Sequence, residues 1–166
     1  MASHDPIEVT FTLNQVPVRC HVEPRRTLLD CLREDLGAVG VHVGCEHGVC
    51  GCCNVTVNGE LVRSCLMFAF QAEGKQVGTV EGVEGPDASL SPLQEAFCEH
   101  HALQCGYCTP GMIMTLETLL KDNPDPADDE LIAALSGNIC RCTGYQQIID
   151  AVRSVARAAV TSGAAE

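Results

Sequence analysis

The feature that most constrains this chain is the stretch Gly44 to Cys65, GCEHGVCGCCNVTVNGELVRSC, which holds five of its twelve cysteines. Cys45, Cys50, Cys53 and Cys65 follow the C-x4-C-x2-C…C order of plant-type [2Fe-2S] proteins, in which one tight loop and one returning strand supply the thiolates for two irons. Such a loop has to wrap closely around inorganic sulfide, whose charge asks for backbone N–H donors. Gly44, Gly48 and Gly51 supply backbone without a Cβ in the way. A four-cysteine zinc site usually pairs two C-x2-4-C knuckles, and an x4 step followed by x2 in a glycine-rich loop fits that scheme poorly. Adjacent Cys52 and Cys53 cannot easily both face one cluster, so the spacing makes Cys53 a ligand and Cys52 a bystander. His47 lies inside the loop but lacks the second histidine and the Cys-x-His pairing of a Rieske centre.

The opening residues MASHDPIEVTFT carry neither a charged region followed by an apolar run nor a twin arginine, so a cytoplasmic location is expected. In that compartment cysteines at short spacings argue for metal rather than for disulfides. Aromatic content is 4% with no Trp, so large core-filling side chains are scarce and cluster ligation is expected to replace part of the packing. The net charge of −12, with ten Lys and Arg, disfavours nucleic acid, which needs clustered cations. It suits either a solvated acidic surface or faces that dock partner subunits. No apolar run approaches the roughly 18 residues of a membrane span.

Ile7, Val9, Phe11 and Leu13 alternate with polar residues, as do Val16, Val18, Cys20 and Val22, and Asn14-Gln15 between them reads as a hairpin turn. Cys20 falls on the apolar side and reads as a small buried residue. Thr27-Leu28-Leu29-Asp30 is a capping pattern that opens a short helix with Leu28, Leu32 and Leu36 inward and Gly37 at its end. Cys31 lies on that helix with no spaced thiol partner. After the cysteine loop, Val55, Val57, the Asn58-Gly59 turn and Leu61 form a second hairpin that returns the chain to Cys65. One more short strand follows at about Gln76 to Val80. The segment Glu73 to Ser89, with its Gly85-Pro86-Asp87 turn, has no helical period.

The second half is helical. Ser91-Pro92-Leu93-Gln94 combines an N-cap, a proline at the first helical position and a capping-box glutamine, with Leu93 and Phe97 inward and Cys98 read as packing. Met112 to Lys121 is apolar on the face of Ile113, Leu116 and Leu120, and Ala127 to Ser136 turns Leu131 and Leu135 inward. Ile148 to Val160 carries Ile148, Ile149, Val152, Val155 and Ala159. The expected fold class is α+β, a β-grasp plant-type ferredoxin-like domain over 5–82 and a C-terminal four-helix bundle domain over 83–160, with a flexible tail at 161–166.

Two loops interrupt the helical half: Gln104-Cys105-Gly106-Tyr107-Cys108-Thr109-Pro110-Gly111 and Cys140-Arg141-Cys142-Thr143-Gly144-Tyr145. In both, cysteine is followed at once by threonine as an expected N-cap and then by an amphipathic helix, so two positive helix ends converge on four thiolates in a pseudo-twofold arrangement. A [2Fe-2S] cluster and a tetrahedral zinc both remain open here, since C-x2-C paired with C-x-C could make either. His100-His101 ahead of Gln104 has no other donor at ligand spacing and reads as helix surface.

Taken together, GCEHGVCGCC with Cys65 downstream, then QCGYCTPGM, then NICRCTGY resembles the small iron–sulfur subunit of the xanthine oxidase family of molybdenum hydroxylases, of the carbon monoxide dehydrogenase and aldehyde oxidoreductase kind. The likeness runs over about residues 5 to 160. It implies a second [2Fe-2S] cluster on Cys105, Cys108, Cys140 and Cys142, in addition to that on Cys45, Cys50, Cys53 and Cys65. It implies electrons passing from a molybdopterin centre in a large subunit, with molybdopterin cytosine dinucleotide as the expected form, through the helical-domain cluster and then the exposed one to FAD in a medium subunit. Gln104 and Cys142 are implied to lie against the pterin. The resemblance further implies a dimer of heterotrimers and a partner that hydroxylates a heterocycle, an aldehyde, an acyl-CoA thioester or carbon monoxide. Cys52 departs from the family's pattern, where a small residue such as Ala is usual. The chain shows no nucleophile–base pair, no G-x-G-x-x-G and no P-loop, so no catalytic residue is assigned and no turnover by the chain alone is expected. A zinc-stabilised interaction module and a free-standing ferredoxin are the two rival readings.

Overall fold

The computed structural model describes residues 5–163, and the side chains of Pro86 and of the residues from 159 onward lie outside that description. Ala159 and the tail expected over 161–166 therefore run beyond the residues described in full. Strands β1 (Ile7–Leu13) and β2 (Val16–Val22) pair antiparallel with Leu13 opposite Val16. Asn14 and Gln15 join them with φ of 47° and 69°, the doubly left-handed backbone of a tight hairpin turn. Strands β3 (Asn54–Val57) and β4 (Glu60–Arg63) form the second hairpin through Asn58 and Gly59, again with both φ positive. Strand β5 (Gln76–Gly78) lies between the hairpins, parallel to β1 and antiparallel to β3, giving a mixed five-stranded sheet in the order β2-β1-β5-β3-β4.

The inward faces of β1, β2, β3 and β5 bury Val9, Phe11, Val22, Val55 and Val77 against Leu28, Leu29 and Leu32. Thr27 caps helix α1 (Leu28–Asp30) by accepting the Asp30 N–H at 3.1 Å, as the sequence indicates. The helix expected to run on to Gly37 instead changes after one turn to a π-helical turn, Cys31–Asp35, which leaves Leu36 only half-buried. The widened turn faces Cys31 toward β2, where its Sγ lies 3.4 Å from that of Cys20. Cys31 thus has a thiol partner that its sequence neighbourhood does not show. Burial pushes both thiols upward, so each sits in the core as a neutral group.

The second half contains helices α2 (Pro92–Glu99), α3 (Thr109–Asp122), α4 (Asp128–Ser136) and α5 (Gln146–Gly163). The Ser91 capping box forms as expected: its hydroxyl accepts the Gln94 N–H at 3.2 Å and the Gln94 side chain accepts the Ser91 N–H at 2.8 Å. Leu93, Phe97, Met112, Ile113, Leu116, Leu131, Leu135, Ile148 and Val152 share one core, placing the expected inward residues inward. Cys98, read from the sequence as packing, is the exception: it is exposed. Helix α3 also packs on β3, which makes it the element that joins the helical domain to the sheet. No described helix is long and apolar enough to cross a membrane.

Candidate metal centres

The loop from Gly44 to Cys53 presents thiols because its backbone turns sharply at Glu46, Gly48 and Gly51, all with positive φ. A Cβ on Gly44 would lie 2.7 Å from the Cys50 Sγ and 3.3 Å from the Cys52 Sγ, so a side chain there would displace the Cys50 thiol. The N–H groups of Val49 and Cys50 point at the Cys45 Sγ, 3.3 and 3.4 Å away. Backbone donation from His47 and Cys50, with Val49 adding to it, lowers the Cys45 thiol to about 6, and Cys50 is also its thiol neighbour. Burial raises Cys65 to about 11, and its thiol neighbour is Cys53.

In the helical domain the Sγ atoms of Cys105 and Cys142 lie 3.6 Å apart. Burial first, then the neighbouring Cys140 thiol, raises Cys108 to about 12. Burial opposes ionisation of Cys140, but the Thr143 hydroxyl at 3.1 Å and N–H at 3.3 Å both donate to its sulfur and lower it. Tyr145 holds this loop by donating its hydroxyl to the Asn138 carbonyl at 2.9 Å while accepting the Cys140 N–H at 2.8 Å. Gln104 is exposed and donates its side-chain N–H to the Cys142 carbonyl at 3.1 Å.

The eight expected ligands therefore fall into four pairs, Cys45 with Cys50, Cys53 with Cys65, Cys105 with Cys142 and Cys108 with Cys140. Pairs suit two irons bridged by sulfide, each taking two thiolates, whereas one tetrahedral zinc asks four donors to converge on a point. Among the described residues no three His, Cys, Asp or Glu side chains converge in that way.

Threonine does not play the role expected from the sequence. The N-cap of α3 is Cys108, with Thr109 the first helical residue, and α5 begins at Gln146, two residues beyond Gly144. The sequence also leaves unseen how the two loops meet. A Cβ on Gly111 would strike the Gly51 carbonyl and lie 3.0 Å from the Cys52 Cα, so α3 rests directly on the cysteine loop. The Ile139 N–H donates to the Cys50 carbonyl at 2.9 Å. His42 stacks on Tyr107 with ring centroids 4.7 Å apart, and the Tyr107 hydroxyl donates to the Val43 carbonyl at 2.6 Å. Cys52 is buried at this junction, with Cys50 and Cys108 as thiol neighbours, and burial pushes its thiol up to about 12.

Residues 11–81 match the 2Fe-2S iron-sulfur cluster binding domain and residues 79–153 match the [2Fe-2S] binding domain, so the chain has two iron–sulfur-binding domains. It is 51% identical over 148 residues to the nicotine 6-hydroxylase small subunit of Paenarthrobacter nicotinovorans, an alignment covering 89% of this chain and 88% of that one. It is 48% identical over 158 residues to the caffeine dehydrogenase subunit gamma of Pseudomonas sp. (strain CBB1), covering 93% and 92%. Among solved structures, that of quinoline 2-oxidoreductase from Pseudomonas putida 86 superposes with a TM-score of 0.89 at 47% identity, over 95% of this chain and 98% of that one. The chain belongs to the small iron–sulfur subunits of the xanthine oxidase family of molybdenum hydroxylases, and is a subunit of an oxidoreductase. Complexes of that family carry molybdopterin and FAD in their other subunits.

Proposed function

We propose that this chain is the electron-transfer subunit of its complex, with one [2Fe-2S] cluster on Cys105, Cys108, Cys140 and Cys142 and the other on Cys45, Cys50, Cys53 and Cys65. Each cluster, when bound, supplies a one-electron carrier. The path runs from a molybdopterin centre in a large subunit, through the helical-domain site and then the ferredoxin-like site, to FAD in a medium subunit. The observation that carries this reading is the direct packing of the two cysteine loops on each other, Gly111 against the Gly51 carbonyl and the Cys52 backbone and the Ile139 N–H on the Cys50 carbonyl. The protein's part is to hold the two sets at a fixed separation.

Gln104 and Cys142 share the solvent-facing edge of the helical-domain set. We read that edge as the face that meets the pterin, because the Gln104 carboxamide offers both donor and acceptor groups to a heterocyclic edge. Domains over 5–82 and 83–160, the first a β-grasp and the second a four-helix bundle, belong to the same reading, as do a dimer of heterotrimers and a cytoplasmic location. The relatives named above carry the names of nicotine, caffeine and quinoline, which favours a nitrogen heterocycle as substrate of the large subunit.

The test is to express the chain with its genomic neighbours and assay the product. Co-purification with a molybdenum subunit and a flavin subunit is expected, with iron and acid-labile sulfide in equal amounts and two distinct EPR signals. Colourless protein holding zinc and no iron would overturn the redox assignment, and elution of the chain alone would favour a free-standing ferredoxin.

A further inference from the structure

Thr109 opens α3 directly after Cys108, and its hydroxyl oxygen is buried with no hydrogen-bond partner among the described residues. A buried hydroxyl left alone is costly, and such atoms are rare in a folded protein. The sister loop shows what this residue type does beside a cysteine set. Thr143, which likewise follows a cysteine directly, donates its hydroxyl to the sulfur of Cys140 at 3.1 Å.

The two loops differ by one residue. In C-R-C the threonine comes three residues after the first cysteine, and its hydroxyl reaches back to that sulfur; in C-G-Y-C it comes four residues after, beyond the turn at Gly106 with φ of 81°. The Cys105 sulfur is turned to Cys142, 3.6 Å away. The hydroxyl that meets a cysteine sulfur in one loop is thereby left without one in the other, directly after Cys108 of the expected thiol set.

Resting on the iron–sulfur reading above, we infer that Thr109 is a positioning residue for the helical-domain cluster, whose hydroxyl donates a hydrogen bond to a sulfur of the bound [2Fe-2S] unit. A reduced cluster carries one more negative charge than an oxidised one, so a donor stabilises it more and raises its potential. Removing the donor makes reduction harder.

The experiment uses the whole complex carrying T109V, which keeps the β-branched shape without the hydroxyl, and T109S, which restores the donor. In an EPR-monitored redox titration, T109V is expected to lower the reduction equilibrium constant of the helical-domain cluster about tenfold, about 59 mV for one electron. The ferredoxin-like cluster should stay in place and T109S should return the wild-type value. One exchangeable-proton coupling at the helical-domain cluster should vanish in T109V and persist in T109S. If T109V does not take up the cluster, T109A gives the same readouts, and failure of both while T109S loads normally also assigns the hydroxyl to the cluster. An unchanged potential with an unchanged proton coupling would overturn the inference. A wild-type complex without two iron–sulfur signals would instead defeat the function proposed above.

Discussion

Cys45 and Cys108 mark the two extremes of the thiols expected to hold metal. Cys45, held at about 6 by backbone N–H groups, is a thiolate at neutral pH, while burial keeps Cys108 at about 12, a thiol until iron displaces its proton. Replacing Cys108 by Ser should remove the helical-domain EPR signal, spare the other and block electron delivery to the flavin. Persistence of both signals would mean that the ligands are grouped wrongly. Cys52 lies beside Cys50 and Cys108, and burial first, then the neighbouring Cys50, raises it to about 12. Cys52 stands outside the C-x4-C-x2-C spacing that Cys53 completes, so Cys52→Ala should leave both EPR signals in place with full iron content; loss of either would make it a ligand. The adjacent pair Cys52-Cys53 can be sorted by spacing alone, since Cys53 continues the x2 step. The partnership of Cys20 with Cys31 cannot, because a strand and a π-helical turn have to pack before the two sulfurs meet.

Helix α3 connects local sequence to both sites. Its N-terminus places Cys108, and Gly111, one turn in, admits the Gly51 carbonyl and the Cys52 backbone, neither of which can yield as a flexible side chain would. Gly111→Ala should therefore cost about 1–3 kcal/mol, as overpacking does. It should also slow electron exchange between the clusters; a melting temperature and an exchange rate equal to wild type would refute the close contact. Further along α3, Glu117 accepts the hydroxyl of Ser91, the residue that caps α2, at 2.9 Å. Burial raises this carboxyl despite that hydrogen bond. With the folded pKa above the ordinary 4.5, its contribution to stability is fully present below pH 4.5 and is lost as pH rises through the folded value. Glu117→Gln keeps an acceptor for Ser91, so it should raise the melting temperature at pH 7 and lose that advantage toward pH 4. A difference independent of pH would count against this account. The Ser91-Gln94 box and the Asn14-Gln15 and Asn58-Gly59 turns were readable because each acts within four residues. Thr109 falls one residue inside α3, and Thr143 falls three residues ahead of α5, which starts only after Gly144 and Tyr145 turn the chain with φ of 67° and 70°.

At the scale of the molecule, the domains are held together by a polar core. Asn54 donates to Thr115 at 2.7 Å, and the Thr115 hydroxyl donates to Asn138 at 3.0 Å, all three side chains being buried. Arg63 donates to Asn54, to the Gly48 carbonyl at 3.2 Å and to the Gly137 carbonyl at 2.6 Å, reaching from β4 into the helical domain. Buried polar networks of this kind are stabilising only while complete. Arg63→Ala should therefore cost about 2 kcal/mol and speed hydrogen exchange at the Ile139 amide, which bonds to the Cys50 carbonyl across the junction. Exchange unchanged at Ile139 would show that the apolar contacts alone hold the domains. The sequence by itself determined the order and spacing of the cysteines, the turns between strands and the inward faces of the helices, because those depend on spacing, backbone chirality and side-chain period over a few residues. Only the tertiary structure decided that Cys105 meets Cys142 and Cys108 meets Cys140, that Cys52 lies between the sets, and that Arg63 closes the junction. Those contacts join residues far apart in the chain, and the packing of whole elements sets their distances.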